Sequence, residues 1–263
     1  MDLGIKDKIA IVAASSKGLG KAVALGLAEE DVRLTICSRD KEALDETADE
    51  LKAGTGAEVL AISGDVSKPE DVKEIVSQTA RKYGTVHILV NNAGGPPLGD
   101  FLSFSLDDWQ RALDLNLLSA INLTREVILY MQKQKWGRII NITSVAVKQP
   151  IEGLILSNTS RAGVIGFAKS ISNEFARDNI LVNNVCPGRI LTDRIIHLAR
   201  ERAKTGMKSA EEIINSWEKD IPIGRIGKPR ELADLVVFLS SERASYITGV
   251  TIQVDGGIVK GIF

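Results

Sequence analysis

Cysteine is almost absent from this sequence, and its scarcity excludes two kinds of protein. Among 263 residues there are two cysteines, Cys37 and Cys186, which lie far apart in the chain. They indicate neither a disulfide framework nor a cysteine-based zinc site, and no other metal site is predicted. Two reduced thiols fit a cytoplasmic protein, which is the localisation that we expect.

The sequence also lacks an excess of charge, a long apolar run and a leader. Lysine and arginine total 33 against 34 for aspartate and glutamate, which gives a net charge of -1 and indicates no nucleic-acid partner. No apolar stretch approaches the roughly 20 residues of a membrane helix. Residues 1–8 lack the basic start and apolar run of a signal peptide. We therefore expect a soluble protein, without membrane attachment, whose partner is a small molecule.

What the sequence does contain is a regular alternation of two patterns. Short apolar, largely β-branched runs predict strands at residues 8–13, 33–38, 58–63, 87–91, 138–142, 181–186 and 251–254. Apolar residues at helical spacing predict helices at residues 19–30, 41–53, 69–83, 107–134, 158–176 and 229–240. This alternation predicts a single α/β domain over residues 1–263, with a doubly wound parallel sheet of about seven strands and helices on both faces. Ligands of such sheets bind at the carboxyl ends of the strands.

The turn after the first predicted strand carries a glycine pattern. It reads Ala13-Ala14-Ser15-Ser16-Lys17-Gly18-Leu19-Gly20 and runs directly into a helix. A dinucleotide pyrophosphate needs close approach of the backbone and the positive end of a helix, which glycines at such a turn provide. Two glycines alone also fit an ordinary tight turn, but their place after the first strand favours a dinucleotide site.

The residues after the second predicted strand bear on which dinucleotide is bound. The chain reads Cys37-Ser38-Arg39-Asp40 there. An acidic residue at this point hydrogen-bonds the ribose 2′-hydroxyl of NAD, whereas an arginine accommodates the 2′-phosphate of NADP. Arg39, helped by Lys17, favours NADP(H), while Asp40 keeps NAD(H) as the alternative.

From about Asp7 to Gly257, the sequence resembles the short-chain dehydrogenase/reductase family. Gly18-Leu19-Gly20 resembles the family's glycine motif, with Ala14 in place of its usual first glycine, a small residue for a small residue. Further similar motifs follow in family order: Asp65-Val66, Asn91-Asn92-Ala93-Gly94, Pro187-Gly188 with Thr192, Tyr246-Ile247-Thr248-Gly249 and Val254-Asp255-Gly256-Gly257.

The resemblance implies a Rossmann-type fold and a set of cofactor contacts. Asp65-Val66 matches the pair that holds the adenine, and Pro187-Gly188 with Thr192 matches the segment that contacts the nicotinamide carboxamide. The implied cofactor-binding residues are Ala14, Ser16, Lys17, Gly18, Leu19, Gly20, Ser38, Arg39, Asp65, Val66, Asn92, Ala93, Gly94, Arg161, Pro187, Gly188, Ile190 and Thr192.

The implied catalytic residues are Ser144, Asn116, Ser157 and Arg161. In the family, the serine at the position of Ser144 hydrogen-bonds the substrate carbonyl, and the asparagine at that of Asn116 holds a water in the proton relay. The family also has a tyrosine thirteen residues after this serine, and a lysine four residues after that tyrosine. Here those positions are Ser157 and Arg161.

This departure affects proton transfer directly. The family's phenol protonates the developing alkoxide, and the nearby ammonium lowers its pKa from about 10 towards working pH. The hydroxyl of Ser157 is a far weaker acid on a shorter stem. Arg161 keeps a positive charge that can hold the nicotinamide ribose hydroxyls, but it does not release a proton near neutral pH.

The source of the proton therefore stays open. Three side chains are candidates, each equally consistent with a surface or packing role: Lys148, Glu152 and His197. A water held by the two serines and Asn116 is an alternative. The chain's tyrosines are expected away from the nicotinamide: Tyr83, Tyr130 and Tyr246.

Three functions follow from these features. The first is an NADP(H)-dependent oxidoreductase that interconverts a carbonyl and an alcohol with an atypical proton donor. The second is a cofactor-binding sensor or partner subunit with little catalysis. The third is a non-redox enzyme on the same fold, because halohydrin dehalogenases of this superfamily have an arginine like Arg161. Those enzymes keep the tyrosine and have replaced the cofactor loop, and this chain departs from them on both counts.

Residues 193–220 form a charged, helical segment that is either a mobile lid over the site or a pair of surface helices. Arg194, His197 and Arg200 on this segment favour an acidic substrate if they face the site and are ordinary surface charges if they do not. By resemblance, residues 107–134 and 158–176 pair across one subunit interface and residues 246–257 join a second, which implies a homotetramer, with a dimer as the alternative.

Overall fold

A single parallel sheet organises the chain. The computed structural model describes residues 2–204, 206 and 209–262. Its strands are β1 (Ile9–Ala13), β2 (Arg33–Ser38), β3 (Val59–Ser63), β4 (Ile88–Asn91), β5 (Gly137–Ile142), β6 (Ile180–Pro187) and β7 (Thr251–Val254). They lie in the order β3-β2-β1-β4-β5-β6-β7, and all pairs are parallel. The predicted seven-stranded, doubly wound sheet is confirmed, and each strand lies within one residue of its predicted bounds.

Helices cover both faces of this sheet. They are α1 (Gly18–Ala28), α2 (Lys41–Thr55), α3 (Pro69–Tyr83), α4 (Leu106–Leu113), α5 (Ser119–Gln134), α6 (Ile155–Phe175), α7 (Asp193–Lys204), α8 (Ala210–Asp220) and α9 (Pro229–Leu239). Helices α7 and α8 occupy the segment predicted at residues 193–220. Residues 205, 207 and 208 of that segment, and the two terminal residues of the predicted domain, lie outside the described residues.

The side chains of β1 show how the two layers form. Ala10 and Val12 pack into one apolar cluster with residues of α1, α2 and α9. Ile11 and Ala13 point the other way, into a second cluster with residues of α3, α5 and α6. Because successive side chains of a strand alternate between faces, a strand covered on both sides is apolar throughout. Within the described residues, no helix has the length and apolar character to cross a membrane.

The helix predicted at residues 107–134 is confirmed in extent, but it is not a uniform α-helix. Helix α4 ends at Leu113, a wider π turn spans Asp114–Leu118, and α5 continues from Ser119. The π turn contains Asn116, whose side chain is buried and hydrogen-bonded to other elements. Apolar spacing did not reveal this break because a π turn inserts one extra residue while the helix axis continues, and such turns often lie at functional sites.

The order of the strands determines where a ligand fits. β1 connects to β2 on one side, and the chain later returns to place β4 against the other side of β1. The loops after β1 and β4 therefore diverge, which opens a crevice at the carboxyl ends of the strands.

Candidate active site

One large cleft lies in that crevice. It has a volume of about 1400 Å³ and is bordered by the glycine turn after β1, by the loops after β2 to β6, by α7 and α8, and by Ile258–Lys260 near the end of the chain. The cleft thus joins the predicted dinucleotide loop and the predicted catalytic serine in one space.

The turn after β1 is shaped by two residues with positive φ. Ala14 has a φ of 48° and Gly18 a φ of 59°. The left-handed region costs a residue with a Cβ energy that glycine does not incur. Alanine at position 14 therefore carries a conformational cost that the family's glycine would not, in addition to its larger size. Helix α1 begins at Gly18 with no side-chain cap, so its first N–H groups are left for a ligand in the cleft.

Gly20 acts behind the cleft wall and does not line it. The Asn92 side-chain amide donates to the carbonyl oxygens of Ala13 and Ala14, at 3.2 Å each. A Cβ on Gly20 would lie 2.9 Å from the Asn92 amide nitrogen and closer still to the Ala14 carbonyl oxygen. The absence of a side chain at Gly20 therefore lets the loop after β4 hold the turn after β1.

The charged residues after β2 have different surroundings. Arg39 is exposed over 74% of its side chain, with Nη1 3.9 Å from Asp65 Oδ2. The Asp40 carboxylate instead accepts the Ala43 N–H at 3.2 Å and so caps α2. Partial burial raises the pKa of Asp65, but hydrogen bonds from Ser67 and the charge of Arg39 outweigh it and hold that pKa below its ordinary value. At this end of the cleft the Arg39 guanidinium is exposed and only loosely paired with Asp65, whereas the Asp40 carboxylate is engaged as a helix cap.

Ser144 stands at the end of β5, on the cleft wall. Its Oγ accepts the Ala146 N–H at 3.1 Å, which fixes the side chain. No acceptor for its own hydroxyl hydrogen is present among the residues that the structure describes. Ser144 can therefore donate a hydrogen bond to a group in the cleft.

Arg161 occupies the base of the cleft beside Ser157. Its N–H groups donate to Ser157 Oγ at 3.2 Å and to the carbonyl oxygens of Ile142, Thr143, Ala93 and Gly94 at 3.1 to 3.4 Å. Each of the five guanidinium donors therefore has a protein acceptor. Burial, followed by the charge of Arg194, lowers the pKa of Arg161 to about 10, so the side chain stays charged at neutral pH. It ties α6 to the loops that follow β4 and β5.

Asn116 lies behind the cleft and does not line it. Its side-chain nitrogen donates to the Gly94 carbonyl oxygen at 2.9 Å, and its oxygen accepts from Ser160 Oγ at 3.2 Å. A separate cavity of about 10 Å³ lies beside it, bordered also by Asn91 and Arg161. The π turn thus positions the Asn116 side-chain amide so that it holds the loop at Gly94 through a hydrogen bond.

Of the three side chains considered as proton sources, one reaches the cleft. His197 lines it, whereas Lys148 and Glu152 do not. None of the three tyrosines lines it: Tyr83 is hydrogen-bonded to the Leu34 carbonyl oxygen, Tyr130 packs against the core, and Tyr246 is fully exposed. Within the described residues, no group of three or more histidine, cysteine or acidic side chains is arranged to hold a metal.

Helices α7 and α8 cover one end of the cleft as a unit with its own small core. Ala199, Ile213 and Trp217 are buried between them. The guanidinium carbons of Arg189 and Arg202 lie 4.9 and 5.6 Å from the Trp217 ring centre, within cation–π range. Arg189 is also paired with Asp220 at 3.4 Å.

A comparison with protein families agrees with this architecture. A family model described as enoyl-(acyl carrier protein) reductase matches residues 13–259, nearly the whole chain. The chain belongs to the short-chain dehydrogenase/reductase family.

Individual members of this family are similar over their full length. The 3-oxoacyl-(acyl-carrier-protein) reductase of Aquifex aeolicus is 36% identical over 258 residues, covering 98% of this chain and 100% of that protein. L-sorbose reductase from Gluconobacter frateurii, solved in complex with NADPH and L-sorbose, superposes with a TM-score of 0.95 at 35% identity, and each chain is covered completely. An NADPH-dependent reductase involved in bacilysin biosynthesis superposes with a TM-score of 0.93 at 31% identity, covering 98% of this chain and 100% of that one.

Most of the residues that the family resemblance singled out border the cleft. Ser144, Ser157 and Arg161 line it, together with the residues predicted to bind the cofactor except Gly20. Gly20 and Asn116 are both one layer behind it. Of the three basic residues noted in the segment 193–220, Arg194 and His197 line the cleft and Arg200 does not.

Sequence reasoning missed the contribution of Ile258–Lys260, which lines the cleft. No local pattern distinguishes these residues from ordinary loop residues, because they reach the cleft only through the return of the chain after β7. Gln149–Ile151 and Trp217 also line the cleft and belong to segments that were expected to border it. Sequence reasoning also missed a buried amide ladder in which Asn91 donates to Asn141 at 2.8 Å and Asn141 to Asn184 at 2.9 Å.

Proposed function

We propose that this protein is an NADP(H)-dependent oxidoreductase that interconverts a carbonyl group and an alcohol. The observation that carries this proposal is the single cleft that contains both the glycine turn after β1 and Ser144. Hydride transfer requires the cofactor and the carbonyl to lie side by side in one space, and a cleft that contains both the turn and Ser144 is consistent with that requirement.

The residues present fit a dinucleotide. The uncapped start of α1 and the positive φ of Gly18 suit a pyrophosphate at the turn, and the lack of a Cβ at Gly20 allows the turn to be held in place. When bound, the nicotinamide supplies or accepts the hydride.

Two features support NADP(H) over NAD(H). Arg39 is exposed at the end of β2, where an arginine accommodates the 2′-phosphate. Asp40, which kept NAD(H) as the alternative, uses its carboxylate to cap α2. The relatives described in complex with NADPH or as NADPH-dependent agree with this assignment.

Ser144 polarises the substrate carbonyl through its hydroxyl, which is fixed by the Ala146 N–H. At the positions of the family's tyrosine and lysine, this chain has Ser157 and Arg161. Arg161 acts as a positioning residue, since its five donors hold the loops on either side of the substrate. A contact between Arg161 and the nicotinamide ribose requires one of those bonds to be exchanged.

The proton comes from a source other than a tyrosine. Ser157 Oγ is oriented by the Arg161 guanidinium and can relay a proton from a water in the cleft, and His197 can supply one from the rim. General acid catalysis typically contributes about 10² to 10⁴-fold. We therefore expect slow turnover that rests on carbonyl polarisation and on the orientation of the hydride donor.

A second candidate function is favoured by one specific observation. The Arg161 guanidinium is saturated by protein acceptors and no tyrosine borders the cleft. A dinucleotide-binding sensor or partner subunit needs the cofactor end of the cleft alone, which the loop after β1 and Arg39 provide.

We also infer a mobile cover and an oligomer. Helices α7 and α8, with their own core around Trp217, act as a lid on the substrate end of a single dinucleotide-binding domain. Exposed apolar side chains at the end of the π turn, on α5 and near the last strand support a homotetramer: Leu118, Leu129, Tyr246 and Val250. Sedimentation analysis of wild-type protein and of Leu129→Glu would distinguish a tetramer from a dimer or a monomer.

The proposed function is tested by binding followed by turnover. Purified protein is titrated with NADPH and NADH while cofactor fluorescence is followed, and the tighter complex is mixed rapidly with ketones, aldehydes and oxo acids. We expect NADPH to bind at least about tenfold more tightly and to be oxidised faster than in buffer, and Ser144→Ala to lower that rate by about 10². Tight binding without oxidation on a broad panel would support the sensor instead, and failure of both cofactors to bind would refute both functions.

A further inference from the structure

The guanidinium of Arg194 lies at the rim of the cleft without a carboxylate partner. Its Nη2 donates to the Pro96 carbonyl oxygen at 2.7 Å. Within the part of the chain that the structure describes, Arg194 forms no ion pair. The side chain is half-buried, and burial lowers its pKa. A partly desolvated cation that is satisfied by one neutral acceptor retains most of its capacity to bind an anion.

The neighbouring backbone is shaped around this guanidinium. A Cβ on Gly95 would lie 2.8 Å from Arg194 Nη2 and 2.9 Å from its Cζ. The glycine thus leaves the space in which the planar group lies against the loop after β4. Gly95 directly follows the Ala93-Gly94 segment, whose carbonyl oxygens are held by Arg161. Arg194 lies on α7 of the lid and therefore contacts the loop after β4, beside the end of the cleft that contains Arg161.

The charged side chains that line the cleft are predominantly positive. Eight are lysines or arginines and four are aspartates, and the lysines and arginines include Arg161, Arg189, Arg202, Lys219 and Lys260 besides Arg194 itself. Asp220 is paired with Arg189. A cleft with this balance attracts an anion and disfavours a neutral or cationic ligand of the same shape.

We propose that Arg194 binds a carboxylate on the carbonyl substrate, so that the substrates of this protein are oxo acids. This inference rests on the proposed reductase function. A guanidinium presents two parallel N–H donors that match a carboxylate, and such charge-assisted pairs are stronger and more directional than neutral hydrogen bonds. The pyrophosphate of the cofactor presents similar anionic oxygens, and the experiment below separates the two sources.

The test compares an oxo acid with its primary amide, which has the same skeleton without the charge. Wild type, Arg194→Gln and Arg200→Gln are assayed for NADPH oxidation with each. Arg200 lies on the same helix, is exposed and does not line the cleft, so its variant controls for a general loss of positive charge. We expect Arg194→Gln to lower kcat/KM for the acid by about 10- to 100-fold, chiefly through KM, with little change for the amide. Arg200→Gln should stay near wild type for both.

A second variant keeps the charge and moves it. Gly95→Ala should displace the guanidinium and reduce the preference for the acid in the same direction as Arg194→Gln. Equal use of acid and amide by wild type, or an equal loss for both in Arg194→Gln, would overturn the proposal. So would a weaker NADPH Kd in Arg194→Gln with an unchanged preference for the acid, since that result assigns the side chain to the pyrophosphate.

A binding experiment tests the carboxylate site independently of the proposed reductase function. If no carbonyl compound is reduced, the reductase function fails, and the protein saturated with NADP⁺ is titrated calorimetrically with a hydroxy acid and its amide. Binding of the acid that is lost in Arg194→Gln and kept in Arg200→Gln would support the carboxylate site without turnover. Absence of binding, or binding that Arg194→Gln leaves unchanged, would refute it.

Discussion

Ser157 Oγ accepts a hydrogen bond of 3.2 Å from Arg161 Nε, one turn further along α6. The two residues stand where the family resemblance places a tyrosine and a lysine. Their contact shows that the two side chains present are sterically and chemically compatible. A short hydroxyl leaves room for the larger guanidinium, which then reaches the carbonyl oxygens at the ends of β4 and β5.

Restoring the family's pair should raise the rate of hydride transfer. In Ser157→Tyr/Arg161→Lys, a phenol with its pKa lowered by a nearby ammonium would serve as the general acid, and we expect kcat to rise by about 10²-fold. Loss of the five guanidinium bonds should at the same time lower Tm. Stopped-flow oxidation of NADPH measures the first effect and thermal unfolding the second.

The matched control is Ser157→Phe/Arg161→Lys, which supplies the ring without the hydroxyl and should show the lower Tm but no gain in rate. An equal gain in both double variants would contradict the general-acid explanation.

Arg39 should set the preference for NADPH. Arg39→Ser removes an exposed guanidinium whose nearest carboxylate, on Asp65, is 3.9 Å away, so stability should change little. We expect the Kd of NADPH to rise by about 10- to 100-fold and that of NADH to change by less than about threefold, because a charge-assisted phosphate contact is lost. Fluorescence titration measures both, and added salt should weaken the wild-type preference.

The corresponding control is Arg81→Ser, an exposed arginine of α3 that lies outside the cleft. The assignment of Arg39 fails if NADH affinity falls as much as NADPH affinity.

Ala14→Gly should stabilise the protein. Alanine in the left-handed region, at a φ of 48°, costs about 1–2 kcal/mol. Glycine removes that cost but adds about 0.5–1 kcal/mol of chain entropy to the unfolded state. We therefore expect a small net rise in Tm, measured by thermal unfolding. Ala53→Gly, in the right-handed backbone of α2, should lower Tm instead. A decrease for both variants would show that the turn at Ala14 is not strained.

His87 should make stability fall as the solution becomes acidic. Burial, followed by the charge of Lys8, lowers the pKa of His87 from 6.5 to about 4, and its neutral Nδ1 accepts the Ile9 N–H at 3.0 Å. Below pH 6.5 the unfolded chain binds a proton that the folded chain does not bind until about pH 4. The stability that His87 contributes is therefore complete above pH 6.5 and is lost as the pH falls towards 4.

Denaturant unfolding between pH 7 and pH 5 measures this effect, because the carboxylates of the unfolded chain titrate mostly below that range. His87→Gln should flatten the dependence, whereas His197→Gln, at the exposed second histidine, should preserve it. A wild-type slope that persists in His87→Gln would assign the proton to another group.

The sequence predicted those parts of the site whose residues are neighbours in the chain. The glycine turn after β1 and Arg39 were found because a strand, a turn and a helix adjacent in the chain define them. Asn116 was found through its motif, but its π turn was not, since the apolar spacing on either side of the turn continues. The sequence showed only that Ala14 is a small residue in place of a glycine. Its positive φ, which only the structure shows, means that the backbone conformation costs more free energy than the space taken by the added methyl group.

The alternation of apolar strands and amphipathic helices determined the doubly wound sheet, because each element can bury its apolar surface in only a few arrangements. The contacts made by Arg161 were decided by tertiary structure alone. Its five acceptors come from three separate segments, and a hydrogen bond depends on distances of a few tenths of an ångström that local pattern does not encode. The same holds for Arg194, whose sequence context is that of any charged helix. The fold brings it against Gly95, almost a hundred residues earlier in the chain, and makes it a candidate for binding the substrate.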